Sequence, residues 1–198
     1  AAVSWKGGSM RIRDLARIAC GRTGRCSSWD TSGRNRDFRV VGPGETLVLA
    51  DISGPGWITH IWMTQRNHYR DCLLRMTWDG ASSPSVLVPL GDFFCLGHGI
   101  VNSFQSLLFT ASTRHNNQFE RPCALNCYCA MPFRRRALIE LVNESGEEHQ
   151  QYFHVDYETG RVPDDAGYFH AEFRRTNPFR GWAPEITVNT PCADAASA

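Results

Sequence analysis

Lysine is almost missing from this chain of 198 residues: of its 21 basic residues only Lys6 is a lysine, so 20 are arginine. Arginine forms bidentate pairs with carboxylates and stacks on aromatic rings, although GC-rich codon use produces the same bias. There is no basic excess. Twenty acidic residues leave a net charge of +1, without the charge footprint of a nucleic-acid binder. No run approaches the ~18 apolar residues of a membrane helix. Ala1–Met10 lacks the apolar stretch of a signal peptide. No paired CxxC is present, which excludes a zinc ribbon. A GxSxG nucleophile elbow, a GxGxxG phosphate loop and a cupin-type HxH with a downstream Glu are also missing.

What is present is ordinary for a globular domain: 42% hydrophobic and 21% charged residues, too apolar for disorder. A chain of this length buries roughly 70% of its unfolded surface and needs no disulfide or metal to fold. Its eight cysteines are Cys20, Cys26, Cys72, Cys95, Cys123, Cys127, Cys129 and Cys192. They read as small buried hydrophobes in a reducing compartment. With no visible signal, this favours the cytoplasm; a secreted form with some disulfides stays open. Cys127 and Cys129 fall on one face of a predicted strand, where metal or redox chemistry is the alternative reading.

Met10–Ala19 places Ile12, Leu15, Ala16 and Ala19 at helical spacing, which predicts one short N-terminal helix. Beyond it the pattern turns to short strands: Thr46–Ile52, Trp57–Gln65, Cys72–Trp78, Ser85–Leu90, Ser103–Thr110, Ala124–Met131, Arg136–Val142, His149–Tyr157 and Tyr168–Arg174. In Trp57–Gln65, simple alternation puts Trp57, Thr59, Ile61 and Met63 on one face. Asp79-Gly80 and Asn143–Gly146 are turn signals, the second a hairpin. About nine strands and no interleaved helices predict an all-β sandwich, with a jelly roll as one solution. The boundaries are 1–20 for the helix and arm, 21–180 for the jelly roll, and 181–198 for a linker or the start of a second one. In that last stretch Glu185–Asn189 reads as a further strand.

Two segments carry candidate chemistry. Ser27–Asp37 combines Trp29, Asp30, Arg34, Asn35 and Asp37. Sugar sites need such a mixture: carboxylates and amides bind hydroxyl pairs, and an aromatic face packs on the ring. An Asx-type turn with surface ion pairs accounts for it equally well. Pro89–Gly99 holds Asp92, Phe93 and His98 between glycines, which fits a loop facing a cleft or a structural connection. Asp30, Asp37 and Asp92 are the acidic residues best placed for glycoside chemistry. His154-x-Asp156 and His170-x-Glu172 have metal-ligand spacing but arise readily by chance, and no metal is expected. Arg134–Arg136 reads as a solvated or carboxylate-paired turn.

Five segments, in order, resemble glycoside hydrolase family 172. They are SSWDTSGRNRDF (Ser27–Phe38), GPGETLVLADISGPGWITHIWMT (Gly42–Thr64), LLRMTWDGASSPSVLVPLGDFFCLGHG (Leu73–Gly99), ALNCYCAMPFRRRALIELVNES (Ala124–Ser145), and QYFHVDYE with DDAGYFHAEFRRTNP (Gln151–Glu158 and Asp164–Pro178). The resemblance implies two tandem jelly rolls, trimers or multiples of trimers, and retaining hydrolysis of fructofuranoside or arabinofuranoside linkages by two glutamates without a cofactor. Those glutamates follow motifs like EAEGRGHYVG and WWGEGDD in the second jelly roll. Neither motif occurs here, so no catalytic residue carries over.

By that analogy Trp29, Asp30, Arg34, Asn35 and Asp37 contact sugar, with Asp92, Phe93 and His98 as further candidates. Cys95 stands where the resemblance implies a small residue such as Gly. The implied partners are a furanose-containing oligo- or polysaccharide and further copies of the chain, with no nucleic acid and no membrane. Two other readings remain: a non-catalytic jelly roll that binds carbohydrate or serves assembly, and a shortened enzyme using Asp30, Asp37 or Asp92.

Overall fold

The computed structural model describes residues 21–175. The helix expected at Met10–Ala19 and the strand expected at Glu185–Asn189 lie outside the described residues. Strands β1 (Arg22–Ser27), β2 (Arg39–Val41), β3 (Thr46–Ser53), β4 (Gly56–Gln65), β5 (Cys72–Trp78) and β6 (Val86–Pro89) lead to a one-turn helix α1 (Leu90–Phe93). Four two- to four-residue strands follow: β7 (Ile100–Val101), β8 (Phe104–Gln105), β9 (Phe109–Ser112) and β10 (Gln118–Phe119). The chain continues through β11 (Cys123–Cys127), β12 (Met131–Phe133), β13 (Arg136–Asn143), β14 (His149–Thr159) and β15 (Ala171–Glu172). No helix among the described residues is long and apolar enough to cross a membrane.

The strands form two facing sheets and a separate two-stranded ribbon of β7 and β10. One sheet runs β1-β14-β4-β11-β9-β8, the other β15-β6-β5-β13-β3. The central quartets β1-β14-β4-β11 and β6-β5-β13-β3 are all antiparallel, and the chain crosses from one sheet to the other between their successive strands except at β5–β6, which pair directly. This is jelly-roll order, and the fold is an all-β sandwich. Strand alternation fills its interior. Leu74 and Met76 of β5, Ile139 and Leu141 of β13, Ile61 and Met63 of β4, and Leu125 of β11 are fully buried there.

Four departures from the sequence reading have local causes. In β4 the register against β14 slips between Asp156 and Tyr157, so that Asp156 opposes His60 and Tyr157 opposes Ile58. Thr59 is the extra residue of this bulge. The simple alternation therefore fails: Ile58 joins Ile61 and Met63 inside, while Trp57 turns outward. The strand expected at Ser103–Thr110 is a hairpin, because the Ser106 hydroxyl and amide both bond Phe109 and close a turn at Leu107-Leu108. Ala124–Met131 breaks at Tyr128–Ala130 into β11 and β12, which both pair with β4. Asn143–Gly146 is not a hairpin: it carries the chain from β13 in one sheet to β14 in the other.

Other expectations hold. Asp79 and Gly80 both adopt positive φ, 58° and 75°, as a tight Asp-Gly turn requires. The arginine run is carboxylate-paired: Asp79 accepts the backbone N–H groups of Arg134, Arg135 and Arg136, and Arg136 forks onto Asp51 at 2.6 and 2.7 Å.

Candidate functional site

The Ser28–Phe38 loop leaves β1 and folds back beside β14. Ser28 anchors it. Its N–H donates to the Phe153 carbonyl at 3.1 Å, its hydroxyl donates to the Asp37 carbonyl at 2.7 Å, and that hydroxyl accepts the Phe153 N–H at 3.0 Å. Asp30 organises the interior of the loop. One carboxylate oxygen accepts the Ser32 N–H and hydroxyl at 2.9 and 2.7 Å; the other accepts the N–H groups of Arg34 and Arg36, each at 3.0 Å. Asp37 in turn accepts the Asp30 N–H at 2.8 Å. Gly33 and Asn35 take left-handed φ of 71° and 61°, which glycine and asparagine tolerate best. The Asx-turn reading therefore describes Asp30, whose oxygens all face the loop. Trp29, Arg34 and Asn35 point to solvent, Trp29 with 59% of its surface exposed.

The Ser32 hydroxyl, and then the loop amides, hold the Asp30 carboxyl down at about 2 from an ordinary 3.8. A depressed carboxyl stabilises the fold above its unfolded pKa and loses that contribution as pH falls toward the folded one. Melting temperature followed from pH 5 to pH 2 is expected to drop less steeply in Asp30→Asn than in the parent. Parallel profiles would refute this role.

Beside this loop the outer face of the sheet carries a continuous polar row across five strands. Arg25 of β1 forks onto Asp156 of β14, Nε–Oδ1 at 2.5 Å and Nη2–Oδ2 at 3.0 Å. His60 of β4 meets Asp156 Oδ2 through Nδ1 at 3.0 Å and Asn126 of β11 through Nε2 at 3.1 Å. Asn126 Nδ2 donates to the Thr110 hydroxyl of β9 at 3.1 Å. Aromatic rings flank the row. Tyr128 stacks on His60 at 4.7 Å, and Trp62 lies 4.8 Å from His154. An open groove of about 460 Å³ runs beside Arg25 and Asp156, lined also by Thr23, Gly24, Thr59 and Tyr157.

The charges of this face are set by their neighbours. Burial pushes the Asp156 carboxyl up, but the Arg25 and His60 contacts outweigh it and hold it below the carboxylate range. Burial first, then the Arg25 charge, holds His154 below the imidazole range, against the opposing Asp156 and Asp37 carboxylates. His154 is then a neutral ring at pH 7. Both His60 nitrogens are engaged, so His60 positions its neighbours and has no free nitrogen to act as a base. The face is a fixed array of acceptors and donors edged by aromatic rings, which suits hydroxyl recognition.

The second predicted segment lies elsewhere. Asp92 faces Arg70, at 2.6 Å from Nε and 3.0 Å from Nη2. Burial raises its carboxyl, with the Arg70 and His98 charges opposing. Phe93 is only 5% exposed and meets Phe94, Phe109 and Phe169 edge to face. Its ring belongs to the core, which corrects its assignment as a sugar contact. His98 is exposed, at φ 61°. Among the described residues no hydrogen bond or ion pair joins this segment to the Ser28–Phe38 loop. Cys95 has φ 64°, a conformation that favours glycine, in keeping with the small residue implied there. The two metal-type pairs are otherwise engaged: Asp156 with Arg25 and His60, Glu172 with Arg174.

His60, Asn126, Thr110 and Tyr128 are absent from the sequence-predicted site. His60-x-Trp62-x-Thr64 was legible as a polar face, but its partners come from strands up to 96 residues away.

Residues 32–155 match the model of the family described as GH172 domain-like. The chain belongs to this family. The match ties it to glycoside hydrolases and spans most of the polar loop together with His60, Trp62, Asn126 and His154. In this GH172 domain Arg25, Trp29, Asp30 and Asp156 stand just outside the matched residues. A search among curated proteins finds no match to the chain.

Proposed function

We propose that this GH172 domain supplies a sugar-binding face of a retaining furanosidase acting on fructofuranoside or arabinofuranoside linkages. In this reading Trp29 packs on the apolar side of a furanose ring, while Arg34, Asn35 and the Asp156–His60–Asn126 row bind its hydroxyls. The two glutamates of the chemistry come from a second jelly roll, and the chain assembles as a trimer or a multiple of one, in the cytoplasm. The reading is carried by the family match together with an exposed indole beside a fully engaged polar row.

One observation favours the non-catalytic reading for this chain taken alone. Retaining hydrolysis needs two carboxyl groups about 5–5.5 Å apart, one of them an acid with a raised pKa. Asp30 is held ionised by its loop and Asp92 is ion-paired with Arg70. Asp30 therefore does not supply that acid, and Asp92, whose carboxyl burial raises, is taken up by its ion pair with Arg70.

Calorimetric titration with fructofuranosyl and arabinofuranosyl oligosaccharides tests the proposal. One series is expected to bind, and Trp29→Ala to weaken it about tenfold, equivalent to ~1.4 kcal/mol. Absence of binding by both series, or a Trp29→Ala variant of unchanged affinity, overturns it.

A further inference from the structure

At one end of the sandwich, where the β4–β5 turn meets the first residue of β14, His68, Cys72 and His149 come together. One ligand atom from each lies within 4.8 Å of the other two, and all three residues are buried. His149 is 1% exposed and His68 9%. Each imidazole has one nitrogen engaged and one idle. His149 Nε2 meets Gln151 Oε1 at 3.0 Å. His68 Nε2 meets the Asn67 side-chain amide at 3.2 Å and faces Glu147 Oε2 at 3.8 Å. Nδ1 of both rings is buried with no hydrogen-bond partner. The Cys72 sulfur has only a distant contact, 3.9 Å, with Asn143 Oδ1.

Buried polar atoms are nearly always satisfied, so two idle imidazole nitrogens in a cluster with one buried thiol need an explanation. His68 Nε2 faces the Asn67 amide nitrogen, a donor, so metal binding at its Nδ1 moves the ring proton to Nε2, toward the Glu147 carboxylate; at His149 the Gln151 oxygen already keeps the proton on Nε2 and leaves Nδ1 as a bare lone pair. This is the outer arrangement that prepares histidine to bind a metal. Two imidazoles and one thiol form a borderline-soft donor set that suits zinc rather than magnesium or calcium.

We propose that His68 Nδ1, His149 Nδ1 and Cys72 Sγ bind one Zn²⁺, tying the β4–β5 turn to the start of β14. Zinc bonds of about 2.0–2.3 Å draw tetrahedral ligand atoms to roughly 3.5 Å apart. Side-chain rotations that close the trio by about 1 Å suffice. Binding forms one Zn–S and two Zn–N bonds and releases the single Cys72 thiol proton to solvent; a water molecule completes the coordination. The site is structural and stands independently of the sugar-binding face.

The test uses the whole chain, stripped with a chelator and titrated with Zn²⁺ against a chromophoric zinc indicator, and separately with Co²⁺. One equivalent of zinc is expected, with a rise in melting temperature of several degrees. Cobalt is expected to show a thiolate charge-transfer band. Both signals are expected to disappear in Cys72→Ser and in His68→Gln and to persist in Cys95→Ser, which removes the exposed thiol. His68→Gln changes a turn residue and decides the matter if Cys72→Ser fails to fold. No uptake at micromolar zinc, as a bound water between the rings would give, overturns the proposal. So does a cobalt thiolate band that survives in His68→Gln.

Discussion

Replacing Asn143 by Ala is expected to lower the unfolding free energy by about 3 kcal/mol or more, a large share of what a domain of this size has. Asn143 is fully buried at the crossing from β13 to β14. Its amide nitrogen reaches the carbonyls of Val41, Gly42 and Glu147 at 2.9, 3.1 and 2.8 Å. Its oxygen accepts the Ser145 N–H at 3.0 Å and hydroxyl at 2.7 Å. Truncation leaves the buried Val41 carbonyl without a partner, at about 1–3 kcal/mol, and breaks the part-buried bonds to Gly42, Glu147 and Ser145 as well. Asn143→Asp keeps the size but turns an acceptor toward the three carbonyls, and is expected to cost at least as much. Urea denaturation in the presence of a chelator measures both variants free of any metal contribution. A loss below about 1 kcal/mol for Asn143→Ala would mean that water or backbone movement replaces these bonds.

Replacing Asp156 by Ala is expected to separate binding from folding. The Arg25–Asp156 pair is partly exposed, with 54% and 22% of the two side chains accessible. Removing it costs stability little, within about 1 kcal/mol. Yet Asp156 is the joint of the row: it holds Arg25 on one side and His60 on the other. Without it His60 loses its Nδ1 partner and the array aimed at sugar hydroxyls loses its alignment. Furanoside affinity is expected to fall tenfold or more, with a melting temperature within a few degrees of the parent. Asp156→Asn, which keeps one acceptor oxygen, is expected to fall between the two. Unchanged affinity in Asp156→Ala would remove the row from the binding face and leave the Ser28–Phe38 loop to act alone.

The long strands were legible because burial on one face imprints a period of two. Cys72–Trp78 matches β5 residue for residue, and Arg136–Val142 falls one residue short of β13. Short strands were not legible. β7, β8 and β10 each span two residues, too few to show any period. The bulge at Thr59 was hidden for a different reason: it is defined by the register of β4 against β14, which local sequence does not contain. Phe93 shows the opposite error. An aromatic between glycines and an aspartate looked exposed, but the neighbouring Phe94 and two rings from other parts of the chain, Phe109 and Phe169, enclose it.

By itself the sequence determined the all-β class, the Asp-Gly turn and the loop of Trp29, Asp30, Arg34, Asn35 and Asp37. These features follow from spacing, turn chemistry and hydrogen bonds over short separations. Only the tertiary structure decided which of those side chains remain free, that Asp156, His60 and Asn126 form one row, and that His68 and Cys72 meet His149. The reason is distance along the chain. Antiparallel pairing and sheet-to-sheet packing join residues 66 to 96 positions apart, and no local propensity specifies such partners.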